Sequence, residues 1–443
     1  MRNSINAVLV GTFTLRFSTG LTGAMLAFYL AKLPEFGGPQ VSGTVAGILT
    51  ATYFAAELIL SPAFGILSDR VGAHRIMQIG PVFGAAAVII TAFTTDLWLI
   101  GGTRWLEGMA AAAAMPSILG YIAITTSGNA ALRGRTVARF EAATIAGLGV
   151  GAVVAGPLFE QFGSAAFLLN AGIYGISFLI YRYGVRPVGT DEAAAAAAEE
   201  RPISSAEVRP STLTLAHYGR LLATRSIWLL APTWIALNAI IGAWTTQVFF
   251  QLVRENPDPA FDSQLLMGGF DPAQVSLAMG VAFAVFLGGI FASGSVLRRF
   301  RRTTIMATGI VGGLVMMAAF FGINHSADVG FAGRAGLVLT GLAGLFVLAG
   351  ATPAALGMLA DISEARPADR GAIMGLYSVF LGLGQIVGSV VAGSAADWLG
   401  IDGLLLASVV LLAVALVPLR WLRESEHLVG VRAVPVGGDA AAA

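Results

Sequence analysis

Gly65-Ile66-Leu67-Ser68-Asp69-Arg70-Val71-Gly72-Ala73-His74-Arg75 lies between two apolar runs, one from about Val41 to Phe64 and one from Ile76 to Phe93. At about 1.5 Å of rise per residue, each run is long enough to cross a bilayer. Between them the chain must reverse within a few residues. The two glycines supply backbone freedom for that turn, and the charged side chains need water or a partner of opposite sign. A solvated loop obeying charge-topology rules would explain the arginines. It would leave the Gly/Asp/Gly spacing without a reason.

Composition sets the class. Of 443 residues, 56% are hydrophobic and only 12% charged, with a mean hydropathy of +0.79. Soluble domains carry about 25% charged residues, so this chain is built for lipid. It has no cysteine, which excludes disulfides, thiolate metal sites and cysteine nucleophiles. The single lysine, Lys32, belongs to no G-x-x-x-x-G-K-[ST] loop. His74, His217, His325 and His427 are scattered without ligand spacing. Neither a bound metal nor a cofactor is expected, nor nucleic acid as a partner, and ATP-driven transport and metalloenzyme chemistry are poor readings. Met1 to about Val10 is too short for a secretory leader and lacks an A-x-A-like site, so no cleaved signal is expected.

Apolar periodicity predicts an all-α integral membrane protein with twelve spans, at about 8–31, 42–64, 76–95, 97–122, 137–159, 165–183, 226–250, 274–297, 303–322, 331–360, 371–395 and 401–421. Of the 26 Lys and Arg residues, about 21 fall on one side of that arrangement, while Lys32, Arg254 and Arg334 fall on the other. Positive residues mark the cytoplasmic side, so both termini are expected there, in a cell inner membrane. Residues 184–225 hold Asp191-Glu192, an alanine run, Glu199-Glu200 and several prolines. They read as a cytoplasmic linker between bundles at 1–183 and 226–421, with a tail at 422–443.

Sliding the chain by 237 residues relates the two bundles without a gap. Pro116 meets Pro353, Gly120 meets Gly357, Arg133-Gly134 meets Arg370-Gly371, and Gly163 meets Gly400. Val150-Gly151-Ala152-Val153-Val154-Ala155-Gly156 meets Val387-Gly388-Ser389-Val390-Val391-Ala392-Gly393, and about 15 of 48 positions from 116 to 163 are identical. Such a repeat predicts two pseudo-symmetric six-helix bundles with a site near the midplane.

Three motifs resemble those of the major facilitator superfamily. Its loop between second and third helices reads roughly G-x-L-a-D-r-x-G-r-k; Gly65, Leu67, Asp69, Arg70 and Gly72 match, while Ala73 stands where a basic residue is expected and His74 and Arg75 follow. Arg104-Trp-Leu-Glu107-Gly108 resembles the fourth-helix motif l-x-x-x-R-x-x-q-G of proton-coupled members, with Glu107 in place of the usual glutamine. Gly147, Gly149, Gly151 and Gly156-Pro157 resemble the glycine-rich fifth helix of antiporter-type members, without its trailing glycines. The resemblance is to the twelve-helix drug/proton antiporter group. It implies a central cavity lined by the first, fourth, seventh and tenth helices. It also implies a conformational latch at Gly65, Asp69, Arg70, Gly72 and Arg75, with Asp69 meeting the start of the eleventh helix near Gly371, where a helix dipole favours an anion.

A charge within a span costs about 2.5–3.5 kcal/mol on insertion scales, so each requires a reason. Arg104 and Glu107, three residues apart, share one helical face. They form either a permanent ion pair or a proton-coupling pair, and Glu107 leads as the proton carrier. Arg16 and Glu57 lie at similar depth on sequential helices and either simply pair or make Glu57 the second carrier. Glu141 follows Arg133, Arg135 and Arg139 and reads as part of the cytoplasmic latch, reaching Arg70 or Arg75. The second bundle shows no deep carboxylate. Its polar candidates for the substrate cavity are Trp234, Asn238, Trp244 and Gln247, then Tyr377 and Gln385.

These readings favour a monomeric secondary transporter, not an enzyme, whose partners are a small-molecule substrate, protons and the lipid bilayer. Export of an apolar or amphipathic compound by alternating access in exchange for protons comes first. Uptake by symport is the alternative. A sensor of the same fold and a lipid flippase are further readings, the retained membrane carboxylates arguing against the sensor.

Overall fold

The computed structural model describes residues 2–127, 129–187, 224–297, 299–364 and 370–425. Most of the expected linker (188–223) and tail (426–443) lies outside the described residues. Among the described residues the chain is helical throughout, with no strand. In chain order the long helices are α1 (Arg2–Ala31), α2 (Gly43–Val71), α3 (Ile79–Ala92), α4 (Leu97–Thr125), α5 (Ala130–Phe162), α6 (Ala166–Leu179), α7 (Arg225–Ala243), α8 (Pro272–Val296) and α9 (Arg302–Asn324). They continue as α10, in two pieces (Phe331–Ala349 and Ala351–Glu364) around Gly350, then α11 (Arg370–Leu399) and α12 (Ile401–Ser425). α7 widens into a π turn at Trp244–Val248 before a last helical turn, Phe249–Val253.

Among the described residues, ten helical stretches are long and apolar enough to cross a membrane. One of them, Ala131–Gly184, holds both α5 and α6, and α1 is outside the ten. The molecule is a multi-pass membrane protein.

The helices begin where side chains satisfy free backbone N–H groups. Ser42 Oγ accepts from Val45 N at 3.2 Å, Asp96 Oδ1 from Leu99 N at 2.8 Å, and Asn129 Oδ1 from Leu132 N at 2.9 Å, opening α2, α4 and α5. α5 and α11 both end on glycines of positive φ, Gly163 at 55° and Gly400 at 64°, and these two are mates in the 237-residue repeat.

In lipid, helices associate through close packing of small residues, because hydrocarbon is as apolar as leucine. A Cβ at Gly151 would strike the Phe17 carbonyl, and one at Gly20 the Leu148 carbonyl, so α1 and α5 touch backbone to backbone. Gly108 on α4 meets the Tyr53 carbonyl on α2, and Gly84 on α3 meets the Tyr174 ring on α6. Gly312 on α9 and Gly344 on α10 face each other's carbonyl oxygens.

Two compact units result. The first joins the described residues up to Pro187 to Gly242–Val281 and Gln385–Leu404. The second takes the remaining parts of α7, α8, α11 and α12 with all of α9 and α10. Within the first unit the 237-residue offset reappears as contacts. Gly156 on α5 abuts the Pro272 carbonyl that opens α8, and its mate Gly393 on α11 abuts the Gly43 carbonyl that opens α2.

Candidate functional site

Arg16, Glu57, Arg104 and Glu107 lie well inside helices of the first unit. Arg104 and Glu107 on α4 are both buried and joined as an ion pair. The guanidinium also stacks on the Tyr53 ring, 4.9 Å from its centroid, where the π face favours a cation. Arg104 Nε is buried without a hydrogen-bond partner. Gly108, one turn along, lets α4 approach α2 closely enough for Tyr53 to reach the arginine. The three-residue spacing in the sequence therefore does produce a shared face, and α2 closes it.

Arg16 on α1 is half-buried, as is Glu57 on α2. They influence each other electrostatically, yet no ion pair joins them among the described residues. Arg16 acts in the same way on Glu141, and its Cβ packs 2.9 Å from where a Cβ on Gly147 would be. One cation thus acts on two carboxylates on different helices. Among the described residues Glu141 makes no ion pair with Arg70 or Arg75, and Arg16 is the cation acting on it. Tyr53 and Tyr174, both buried, sense Arg16 and Arg104 together and so connect the two charge pairs. One turn before Tyr174 on α6, Asn170 donates to Ser18 O at 3.1 Å and to Thr22 Oγ1 at 2.7 Å.

The 65–75 stretch contains the end of α2, then Gly72 and a single helical turn, Ala73–Ile76. Gly72 has φ 102° and ψ 131°, and its N–H bonds to Ser68 O at 2.9 Å. Backbone in that region is confined to glycine. Gly72→Ala is expected to lower stability by about 1–3 kcal/mol, read as an earlier thermal unfolding transition in detergent; an unchanged transition would refute the strain. Ala73 replaces the family's basic residue. His74, buried, lies 3.1 Å from Tyr181 O through Nε2 and ties the turn to the end of α6. Asp69 and Arg70 are exposed, and Arg75 is exposed as well. The side chain of Gly371's neighbourhood, where the latch partner was expected, lies outside the described residues. In the equivalent position after α8, Arg302 is held by Asp361, Nε at 2.5 Å and Nη2 at 3.0 Å.

The polar groups of the later helices divide between the units. In the second, Asn238 donates to Trp234 O at 2.8 Å, and both side chains are buried. In the first, Gln247 donates to Gly43 O at 3.0 Å and Ser389 O at 3.1 Å. Its amide is spent on binding α2 and α11 to the π turn of α7. Trp244 is half-buried, and Gln385 is buried with Oε1 unpartnered. The Tyr377 side chain lies outside the described residues.

The family model for the Major Facilitator Superfamily matches residues 8–268 and 243–434. The chain belongs to that superfamily. The multidrug efflux pump LfrA of Mycolicibacterium smegmatis is 31% identical over 151 residues, covering 34% of this chain and 29% of LfrA. The multidrug resistance protein MdtG of Citrobacter koseri is 23% identical over 168 residues, 38% of this chain and 40% of MdtG. The quinolone resistance protein NorA of Staphylococcus aureus (strain Mu50) is 27% identical over 123 residues, 28% of this chain and 30% of NorA. The matches therefore span well under half the length of these curated relatives. Among solved structures, the nucleoside transporter NupG superposes with a TM-score of 0.71 over 95% of this chain and 98% of its own, at 16% identity. A bacterial homologue of the human lysosomal transporter Spinster gives 0.69 over 96% and 98%, at 11% identity. These likenesses establish the fold.

Superfamily membership makes this chain a transporter rather than an enzyme. It also directs attention to a carboxylate that sequence reasoning passed over. Asp397, at the end of α11, accepts from Gly43 N at 2.6 Å, Thr44 N at 2.8 Å and Thr44 Oγ1 at 2.6 Å. A reading confined to deep carboxylates passed it over because Asp397 sits two residues from the helix end, where a charge looks solvated. The signal was present in the repeat: 237 residues back stands Glu160, which accepts from Ala273 N at 3.3 Å at the start of α8. Tyr53 and Tyr174 were missed as well, because nothing in a helical apolar pattern distinguishes a charge-facing tyrosine from one in the core.

Proposed function

We propose that this superfamily member is a secondary transporter that exports a small apolar or amphipathic compound in exchange for protons by alternating access. The family assignment and the efflux relatives support export. What supports proton coupling is that Arg16 acts electrostatically on both Glu57 and Glu141 while forming no ion pair with Glu57 among the described residues. A proton carrier must gain and lose its charge at low cost. Glu107 is poorly suited, since neutralising it would strand the buried Arg104. Glu57 has no ion pair to lose among the described residues, so it becomes the leading carrier, ahead of Glu107, and Arg16 its tuning cation. Arg104 and Glu107 then hold α4 against α2 through Tyr53. The buried Gln385 amide oxygen, without a hydrogen-bond partner, is assigned to substrate contact in this reading. In this reading α1 and both α5 and α6 cross the membrane, twelve spans in all, a single chain is the working unit, and both termini lie on the cytoplasmic side of the inner membrane.

Inverted membrane vesicles test it. On energisation they should accumulate lipophilic dyes while protons leave, and a collapsed pH gradient should stop accumulation. Solute uptake into right-side-out vesicles driven by inward protons would instead establish the symport alternative.

A further inference from the structure

Asp397 holds more of the second helix than one cap residue normally does. The first two N–H groups of α2, on Gly43 and Thr44, and the Thr44 hydroxyl all point to its two oxygens, while Ser42 Oγ serves the third N–H, on Val45. The free donors of this helix start are thereby met, largely by a residue about 350 positions away in the chain. Helix starts favour an anion, and the short distances fit charge-assisted bonds.

A second partner waits beside the same carboxylate. Arg254, just past the end of α7, is buried to 5% exposure, and its Nη1 reaches Asp397 Oδ1 only at 3.5 Å. Its Nε and Nη2 are buried with no hydrogen-bond partner. Its remaining support is the Phe250 ring, 5.3 Å from the guanidinium carbon. Buried donors left unmet are costly, and a bidentate carboxylate is what an arginine fork accommodates best. Here the carboxylate is present and in use by α2.

We infer that Asp397 is exchanged between two partners during transport, bound to the start of α2 in this state and taken over by Arg254 when α2 withdraws from α11. The exchange compensates the opening. The donors that α2 loses go to water at the mouth, while Arg254 gains the bidentate pair it lacks. Asp397 and Arg254 are thus positioning residues for the transport cycle, acting on the helices and not on the substrate. Around them α2 meets α11 closely through Gly43, Gly47 and Gly393, and the separation must also release Thr44 Oγ1 from Ser394 Oγ at 3.1 Å and the Gln247 amide from Gly43 O and Ser389 O. The equivalent carboxylate, Glu160, has one N–H partner at 3.3 Å and is exposed, so the device is built at one repeat only.

This inference rests on the alternating-access reading, and a distance measurement separates the two. The chain has no native cysteine, so spin labels go on Gln40→Cys and Ser263→Cys, both exposed. Gln40 precedes α2, and the Ser263 loop is fastened to the end of α11 by Gln264 Nε2 donating to Leu399 O at 2.8 Å. Pulsed electron resonance on the full chain in nanodiscs should show a short and a long population. Asp397→Asn should raise the long-to-short ratio by about tenfold or more, and Thr44→Ala by a smaller factor, about threefold. Arg254→Gln should lower the ratio, and the double variant Asp397→Asn/Arg254→Gln should behave like Asp397→Asn alone. If Arg254 merely braced the closed arrangement, Arg254→Gln would raise the ratio, and that result overturns the exchange. Unchanged ratios in both Asp397→Asn and Thr44→Ala also overturn it. A wild type with one distance at every pH would remove alternating access itself, and the exchange with it.

Discussion

Arg104→Gln is expected to lower the stability of the folded transporter by about 3–5 kcal/mol, because it leaves Glu107 charged and unpaired in a buried site. Both side chains are buried, and nothing else among the described residues forms an ion pair with Glu107. The variant also loses the contact over Tyr53. Removing both charges is different in kind. Arg104→Gln/Glu107→Gln keeps two side chains of similar volume and abolishes the unpaired charge, so most of the loss should return. Denaturant unfolding in detergent, run as a double-mutant cycle, reads the difference. A single-variant loss below about 1 kcal/mol would place the pair with exposed ion pairs and contradict its burial.

Glu57→Gln is expected to reduce proton-driven transport by at least about tenfold while substrate still binds. The amide resembles the protonated acid in shape and charge, so the variant is fixed in one of the two states that proton exchange must connect. A ligand shifts a conformational equilibrium only by binding its states unequally. With Glu57 permanently neutral, the attraction to Arg16 no longer differs between those states. Arg16 retains Glu141 as a charge partner, so the fold should survive. Initial rates in inverted vesicles across imposed pH steps, alongside equilibrium substrate binding, check both halves of this expectation. Glu107→Gln should give less folded protein, but the transport that remains should still follow the pH step. If Glu107→Gln loses the response and Glu57→Gln keeps it, Glu107 is the carrier.

Much of the molecule was legible before any coordinates. Apolar runs locate helices because a membrane offers the backbone no other partner for its polar groups. The Arg104–Glu107 spacing implied a shared face, and the ion pair is there. The superfamily could be read from Gly65, Asp69, Gly72 and the Arg104 motif, and the family match agrees.

What the chain's order could not convey is which groups meet across helices. Composition and periodicity determine where the helices are, since those signals are local. The partner of a buried charge is decided by how neighbouring helices rotate and how closely they approach. Glycines such as Gly108 and Gly151 set that approach through backbone contacts distant in sequence. Arg16 therefore acts on two carboxylates and forms an ion pair with neither among the described residues, and Gln247, read as a cavity residue, binds the carbonyls of Gly43 and Ser389. Asp397 is the plainest case: as a residue type near a helix end it looks solvated, and only tertiary packing brings it to the open N–H groups of α2. Secondary structure, class and family followed from the sequence by itself, whereas the pairing of charges was settled by the fold, because electrostatic interaction depends on distance in space and not on separation along the chain.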